Sequence, residues 1–194
     1  VGPLAVPGQY RAELNGAGAT LSTTIEVLAD PRSPADAAAL QANLDFGLQL
    51  RGELDRTHAG IEWLRAARAQ ASDLRKRLGE EARYAAVVQA CEAVIADADR
   101  IEGQLHNPEA KVVYDILRGP RGARLYSQLA PLYSWSQDSD LAPTAAMRER
   151  HAALAAELAE REAAIAAMHQ GSIQTLEAAV TAAALPRLIL PERQ

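Results

Sequence analysis

The sequence predicts a mainly α-helical protein: an antiparallel bundle of three to four long helices, with a short β-hairpin at its N-terminal end. Hydrophobic residues make up 48% of the 194 residues, but aromatic residues only 4%. Alanine and leucine therefore have to fill the interior, which favours closely packed helices. From residue 33 onward, apolar residues recur three or four positions apart, as they do in a helix with one buried face.

The first 32 residues follow a different pattern, which predicts a strand, a tight loop and a second strand. Residues 10–14 alternate between apolar and polar, residues 15–18 are of turn-forming types, and residues 21–28 are rich in β-branched side chains. Two strands alone are only marginally stable in water. We therefore expect residues 1–32 to end a β-sandwich that lies upstream in a longer protein, with packing against the helices as the alternative.

The first two helices are delimited by residues that typically start or stop a helix. Ser33 is a suitable N-cap and Pro34 suits the first helical position. One long helix is predicted from there to residue 78, with a bend expected at Gly52 or Gly60. Glycine at position 79 separates it from a second helix, which is predicted to end at residues 107–108.

The remaining helical region is less regular. A third, broken helix is predicted over residues 109–135, interrupted by the Arg-Gly-Pro-Arg-Gly sequence at 118–122. A polar loop is predicted at 134–141. A last amphipathic helix is predicted from about residue 143 to Pro186, with a kink expected at Gly171. Residues 33–194 are thus predicted to form the helical bundle.

Composition and charge narrow the classes of function. The formal net charge of −5 gives no reason to expect nucleic-acid binding. No apolar run approaches the roughly 18 residues of a membrane span. Because the chain begins at Val1 without the features of a signal peptide, we take it to be part of a longer protein.

The sequence offers no catalytic, cofactor-binding or metal-binding set. Its carboxylates lie among arginines on helix faces, as at residues 157–162, and we interpret them as a solvated surface. A di-metal site in a bundle needs Glu-x-x-His on two helices, and none of the four histidines follows a glutamate in this way. Cys91, the single cysteine, is predicted to be a small buried hydrophobic residue.

Three aromatic residues form a candidate contact surface: Tyr126, Tyr133 and Trp135. Aromatic residues are scarce in this chain, so three within ten positions indicate either a packing joint between helices or a surface for a partner. The packing joint is our preferred interpretation. Exposed side chains would favour the partner surface, and buried ones would exclude it.

Several segments together resemble one protein family. They are Val6–Tyr10 (VPGQY), Val27–Arg32 (VLADPR), Leu125–Tyr133 (LYSQLAPLY), Ala142–Met147 (APTAAM) and the tail Leu176–Pro186. In this order they resemble the C-terminal region of bacterial sialidase-like proteins with BNR (Asp-box) repeats. These proteins are related to the sortilin propellers and are often labelled glycosyl hydrolases.

The resemblance implies that propeller blades come first in the parent protein, followed by a short β-sandwich and then a helical region. Any action on sugars would belong to the propellers, since the sequence contains no Asp-box. It also implies export to the periplasm or beyond. We therefore expect a non-catalytic structural or interaction domain, whose partners are the upstream propeller and sandwich, with self-association into a homo-oligomer as an open alternative. The alternatives are a protein- or glycan-binding accessory module, and an enzyme fragment that contributes one wall of an active site.

Overall fold

In a computed structural model, residues 2–16, 18–79, 81–110 and 122–185 are described. Within them the protein is mainly helical and carries a small antiparallel hairpin at its N-terminal end, which confirms the predicted fold class. A 3₁₀ turn (Ala82–Tyr84) precedes the second helix, and a π-helical turn (His169–Ile173) joins the last two. The main elements, in chain order, are β1 (Gly8–Gly16), β2 (Ala19–Val27), α1 (Ala37–Leu78), α2 (Ala85–Leu105), α3 (Leu125–Ser136), α4 (Ala145–Met168) and α5 (Gln174–Ala182).

The chain divides into two compact units. The first comprises Val1–Gly52 and Pro131–His151, and the second comprises Glu53–Ala130 and Ala152–Gln194. Helices α1, α3 and α4 each contribute residues to both units. The predicted boundary at residue 33, between a sandwich end and a helical bundle, concerns a longer protein and stays a prediction.

In the second unit, α1 and α2 run antiparallel. Arg65 on α1 pairs with Glu102 on α2 at 2.7 Å, and Arg75 pairs with Glu92 at 3.4 Å. The residue number rises along α1 while it falls along α2, so the two helices point in opposite directions. Such a pairing is expected of helices joined by a short connection.

The same unit adds α4 parallel to α1. Arg56 pairs with Glu162 at 2.8 Å, and the ring of Trp63 lies 6.1 Å from that of His169. From the first pair to the second, the residue number rises along both α1 and α4, so these two helices point in the same direction. Helix α2 runs antiparallel to both. Consecutive long helices of this bundle are therefore antiparallel, in an up-down-up order.

Glycine at position 60 allows α1 to approach its neighbours closely. A Cβ atom on Gly60 would lie 3.0 Å from Cδ1 of Ile165 on α4 and 3.9 Å from Cδ1 of Leu105 on α2. At Gly52 the same atom would meet nothing within 4 Å. Helix α1 continues through both glycines, and the glycine at position 60 serves helix packing.

Leucine and alanine form most of the core, as their abundance predicted. Ala67, Ala71 and Ala98 are fully inaccessible, and such small side chains take up little space between packed helices. The largest fully buried side chains of the second unit are Leu64, Val87, Val94, Ile101, Leu105, Leu125, Leu129, Leu154, Leu158, Ile173 and Leu176. In the first unit, Phe46, Leu50 and Leu132 are buried.

The N-cap of α1 is Asp36 and not Ser33. The Asp36 carboxylate accepts the backbone N–H of Ala39 at 2.8 Å, and the helix begins at Ala37. Ser33 instead accepts the N–H of Ala35 at 3.3 Å, within the preceding turn. The prediction of the helix start was wrong by three residues, because Ser33-Pro34 and Asp36 both carry start signals and the side-chain bond decides between them.

The other predicted helix ends and irregularities are confirmed at three positions. Gly79 follows α1 with a φ of 59°, a conformation that glycine adopts readily, and donates its N–H to Arg75 at 3.2 Å. Thr144 caps α4 by accepting the N–H of Met147 at 3.2 Å. Gly171 lies in the π-helical turn, so the expected irregularity is a widened turn.

One prediction needs adjustment. The polar loop expected at 134–141 begins later, because α3 extends to Ser136. Most of the predicted break at 118–122, and Pro186, lie outside the described residues. Over the described ranges, no helix is both long and apolar enough to cross a bilayer.

Candidate interaction surface

The hairpin of the first unit has a regular register. Gly16 pairs with Ala19 across a two-residue connection, and pairing continues without a bulge to Gly8 and Val27. Successive side chains of a strand point to opposite faces. One face therefore carries Tyr10, Ala12, Leu14, Leu21, Thr23 and Ile25, and the other carries Gln9, Arg11, Glu13, Ser22, Thr24 and Glu26.

The first of these faces, the apolar face, is largely uncovered. Leu14 is 68% exposed, Leu21 67% and Ile25 50%. Tyr10 is 37% exposed, and its hydroxyl donates to the carbonyl of Val6 at 2.7 Å. All strand residues that the structure describes are exposed except Ala12 and Val27, which are half-buried.

Burying the uncovered apolar side chains against another surface would be favourable by several kcal/mol. Full burial of one large aliphatic or aromatic side chain stabilises by about 1.5–3 kcal/mol. Weighted by their exposed fractions, the four large side chains of the face leave about 4 kcal/mol unrealised. Covering this face would therefore add a free energy that is a large fraction of the total folding stability of a typical protein.

The opposite face of the hairpin is polar and exposed to solvent. Arg11 and Glu13 form an ion pair along β1, and the Thr20 hydroxyl donates to the Asn15 side chain at 2.6 Å. All four side chains are exposed. The hairpin is thus amphipathic in the way of an outer strand pair of a two-layer β structure.

A cleft lies at the base of the hairpin, in the same unit. Its volume is about 350 Å³ and its lining is mostly aliphatic, from Leu4, Val6, Val27, Leu28, Leu40 and Leu44 among others. Leu4 and Leu28 are 72% and 76% exposed. Asn43, also in the lining, donates to the Ser139 carbonyl, while its side-chain oxygen is buried without a hydrogen-bond partner among the described residues.

The predicted aromatic contact residues differ in their surroundings. Trp135 is 61% exposed and Tyr126 39% exposed, whereas Tyr133 is half-buried. Tyr126 belongs to the second unit, and the other two belong to the first. The exposure of Trp135 does not fit a packing joint and fits the alternative of a contact residue.

Buried polar groups in the second unit hold helices together. Glu102 has a side chain only 3% exposed and accepts a hydrogen bond from Arg65 and another from Arg68, each at 2.7 Å. Arg68 also donates to Asp99 at 2.7 Å, and this bond and the two carboxylates raise the pKa of Arg68. All partners are protein groups on α1 and α2, so the cluster links the two helices.

His151 and Cys91 are packing residues. His151 is buried with its ring 5.3 Å from that of Phe46, edge to face. Cys91 is fully buried, as predicted, and burial raises the pKa of its thiol. Over the residues that the structure describes, no three His, Cys, Asp or Glu side chains come together in a way that could hold a metal ion.

The sequence pattern indicated the hairpin but left the environment of its apolar face open. Alternation of apolar and polar side chains identifies an amphipathic strand, but whether the chain's own helices cover the apolar side depends on tertiary packing. Comparison of the chain with protein-family models, with curated proteins and with solved structures gave no match.

Proposed function

We propose that this chain is a non-catalytic structural and interaction domain at the C-terminal end of a larger exported protein, where its hairpin packs against an apolar β-layer. The observation that carries the proposal is the uncovered apolar face of the hairpin. Leu14 and Leu21, paired across the strands, are both about two-thirds exposed. An apolar face of this kind is normally covered in a two-layer β structure.

The identity of the larger protein rests on the resemblance of the sequence segments. In the proposal, sialidase-like propeller blades and a β-sandwich precede the domain, and the hairpin completes that sandwich. The helical bundle caps or spaces the assembly, and the parent protein is periplasmic or secreted. The interhelical ion pairs and the leucine-rich core support a rigid role for the bundle.

The test compares two neighbouring substitutions on opposite faces of β1. Leu14→Asp places a charge on the apolar face, and Asn15→Asp places one on the polar face, where the carboxylate can still accept the Thr20 hydroxyl. Each variant is made in the isolated chain and in the full-length gene product. Thermal unfolding of each is then followed by circular dichroism.

We expect Leu14→Asp to lower the melting temperature of the full-length product and to leave the helical unfolding of the isolated chain unchanged, since Leu14 is exposed there. Asn15→Asp should change neither. A full-length product that tolerates Leu14→Asp as well as it tolerates Asn15→Asp would refute the proposal. So would a gene product that contains no β domain beyond this chain.

A second candidate function is a protein- or glycan-binding accessory module. It is favoured by Trp135, whose 61% exposure is unusual for such a large aromatic side chain. Sugar rings stack on exposed tryptophan side chains, and stacking changes their fluorescence. The other tryptophan, Trp63, is only 4% exposed and would report little.

The test of this alternative is a fluorescence titration of the full chain with sialyllactose and with lactose. A saturable change that disappears in Trp135→Ala, with unchanged circular dichroism, would support glycan binding. A change of equal size in the variant, or none in the parent chain, would count against Trp135 as a glycan contact.

A further inference from the structure

We propose that Asn15 and Gly16, at the end of β1, form a modification site at which the Asn15 side chain loses ammonia and the backbone rearranges. The folded hairpin holds this reaction back, and one of its two products no longer fits the hairpin. Water is the only other reactant, so the site goes beyond the proposed function and does not rest on it.

The sequence at this point is the one in which asparagine reacts most readily. The backbone nitrogen of the following residue attacks the side-chain amide carbon, and a side chain on that following residue hinders the attack. Asn15 is followed by Gly16, which has no side chain. The other two asparagines are followed by Leu44, which is bulky, and by Pro108, which has no N–H.

The reaction proceeds in two steps and consumes one water molecule. In the first step the Gly16 nitrogen gives up its proton and bonds to Cγ of Asn15, while the bond from Cγ to the side-chain nitrogen breaks. Ammonia leaves after taking up a proton, and a five-membered succinimide ring remains. In the second step water opens one of the two ring carbonyls. One opening gives aspartate, and the other gives isoaspartate, in which the backbone runs through the former side chain.

The folded hairpin restrains both reacting groups. Gly16 pairs directly with Ala19 across a two-residue connection, and such a closing pair exchanges backbone hydrogen bonds. The attacking nitrogen therefore has its N–H bonded to a carbonyl. The Thr20 hydroxyl donates to the Asn15 side-chain oxygen at 2.6 Å and ties that side chain across the hairpin. Ring closure has to break both bonds and rotate the Asn15 backbone out of the strand conformation.

These restraints are weak, because the hairpin is small and exposed. Two strands alone are only marginally stable in water. Asn15 and Gly16 are both exposed to solvent, and the closing pair lies at the end of the ladder, where local opening costs least. Asn15 should therefore react while the end of the hairpin is open, at a rate reduced in proportion to the open fraction.

The two products differ in their effect on the hairpin. Aspartate keeps the backbone, and its carboxylate can still accept the Thr20 hydroxyl. Isoaspartate inserts one extra backbone carbon before Gly16, so Gly16 and Ala19 no longer face each other. Because successive side chains point to opposite faces, a loss of register disturbs both faces of the hairpin. Isoaspartate should therefore leave the hairpin open.

The first test is peptide mapping by mass spectrometry of the full chain after several weeks at neutral pH and body temperature. Asn15 should be converted to aspartate and isoaspartate, whereas Asn43 and Asn107 should stay intact. In urea at the same pH, where the hairpin is unfolded, conversion at Asn15 should be severalfold faster.

A pair of variants tests the role of the glycine. Gly16→Ala places a methyl group beside the attacking nitrogen, at a position where nothing lies within 4 Å, so the hairpin should tolerate it. Conversion of Asn15 should then fall severalfold, in the folded chain and in urea. The control is Ala19→Gly on the facing strand position, which leaves the reacting pair unchanged and should not slow the conversion.

Amide hydrogen exchange tests the effect on the hairpin. Hydrogen-bonded pairs recur at every second residue of the ladder, so Leu14 and Leu21 form the next one after Gly16 and Ala19. Their amides should exchange faster in the isoaspartate-containing chain than in the parent chain. In Asn15→Asp, which has the normal backbone, they should keep the exchange rates of the parent chain.

Each result bears on one part of the proposal. An Asn15 that stays intact in the folded chain and in urea would overturn the site. Equal rates in both conditions would overturn its control by the hairpin, and unchanged exchange at Leu14 and Leu21 in the isoaspartate-containing chain would overturn the effect on the fold. None of these results concerns the covering of the apolar face, so the proposed function is tested separately.

Discussion

Replacing Glu102 with glutamine should destabilise the helical bundle by about 2 kcal/mol. Each of its two bonds is a charge-assisted hydrogen bond, for which about 1.5–3 kcal/mol is typical. The loss is smaller than twice that value, because Arg65 and Arg68 are 42% and 35% exposed and can turn to water or to a second carboxylate. The side-chain oxygen of glutamine still accepts one hydrogen bond from an arginine. Its NH₂ group, however, faces the N–H groups of the other arginine, so two donors meet without an acceptor.

The assay is urea unfolding followed by circular dichroism. With a dependence on urea of about 2 kcal/mol per molar, a loss of 2 kcal/mol lowers the midpoint by about 1 M. The matched control is Glu92→Gln, which removes the exposed pair with Arg75, where both side chains are about half-exposed at 3.4 Å. That control should cost less than about 0.5 kcal/mol. Equal midpoints for the two variants would refute the structural role of the buried Glu102 carboxylate.

Three further predictions concern the helices and the buried thiol. Gly52→Ala should raise the free energy of unfolding by about 0.5–1 kcal/mol, because its added methyl group meets nothing within 4 Å. Gly60→Ala should raise the free energy of unfolding less, or lower it, since its methyl group would lie 3.0 Å from a side chain of α4. An equal increase in both variants would contradict the close packing. Asp36→Ala should lower the free energy of unfolding by about 1 kcal/mol, because it removes the N-cap of α1. Ser33→Ala should change it by less than about 0.5 kcal/mol. Similar losses in urea unfolding would contradict the assignment of Asp36 as the N-cap. Because burial raises the pKa of Cys91 above its ordinary value of 9.0, the unfolded chain releases the thiol proton at lower pH than the folded one, and stability should fall as pH rises above about 9. Cys91→Ala should lack that part of the fall when urea midpoints are compared from pH 8 to 10.5, and parallel curves would exclude the effect.

The periodicity of the sequence predicted the helices well because their stability depends on a pattern within each helix. The stop at Gly79 was predictable for the same reason, since a glycine next to a basic turn is a local signal. The start of α1 was not, because Ser33 and Asp36 are both good caps and only the Asp36 bond to Ala39 distinguishes them.

The candidate surface was only partly predictable. The alternation of apolar and polar residues in 10–14 predicted a strand of the hairpin. The exposure of its apolar face follows from which elements pack against it, and sequence spacing does not carry that information. Trp135 shows the same limit. The scarcity of aromatic residues singles out its cluster with Tyr126 and Tyr133 in the sequence, whereas its exposure depends on the packing of α3.

Hydroxyl-radical footprinting shows whether the apolar face of the hairpin, which is open in this chain, is covered in the larger protein that we propose. Oxidation is measured at Tyr10, Leu14, Leu21 and Ile25 in the isolated chain and in the full-length gene product, with Leu64, fully buried in α1, as internal reference. We expect ready oxidation of the four residues in the isolated chain and strong protection in the full-length product. Equal oxidation in both would contradict it.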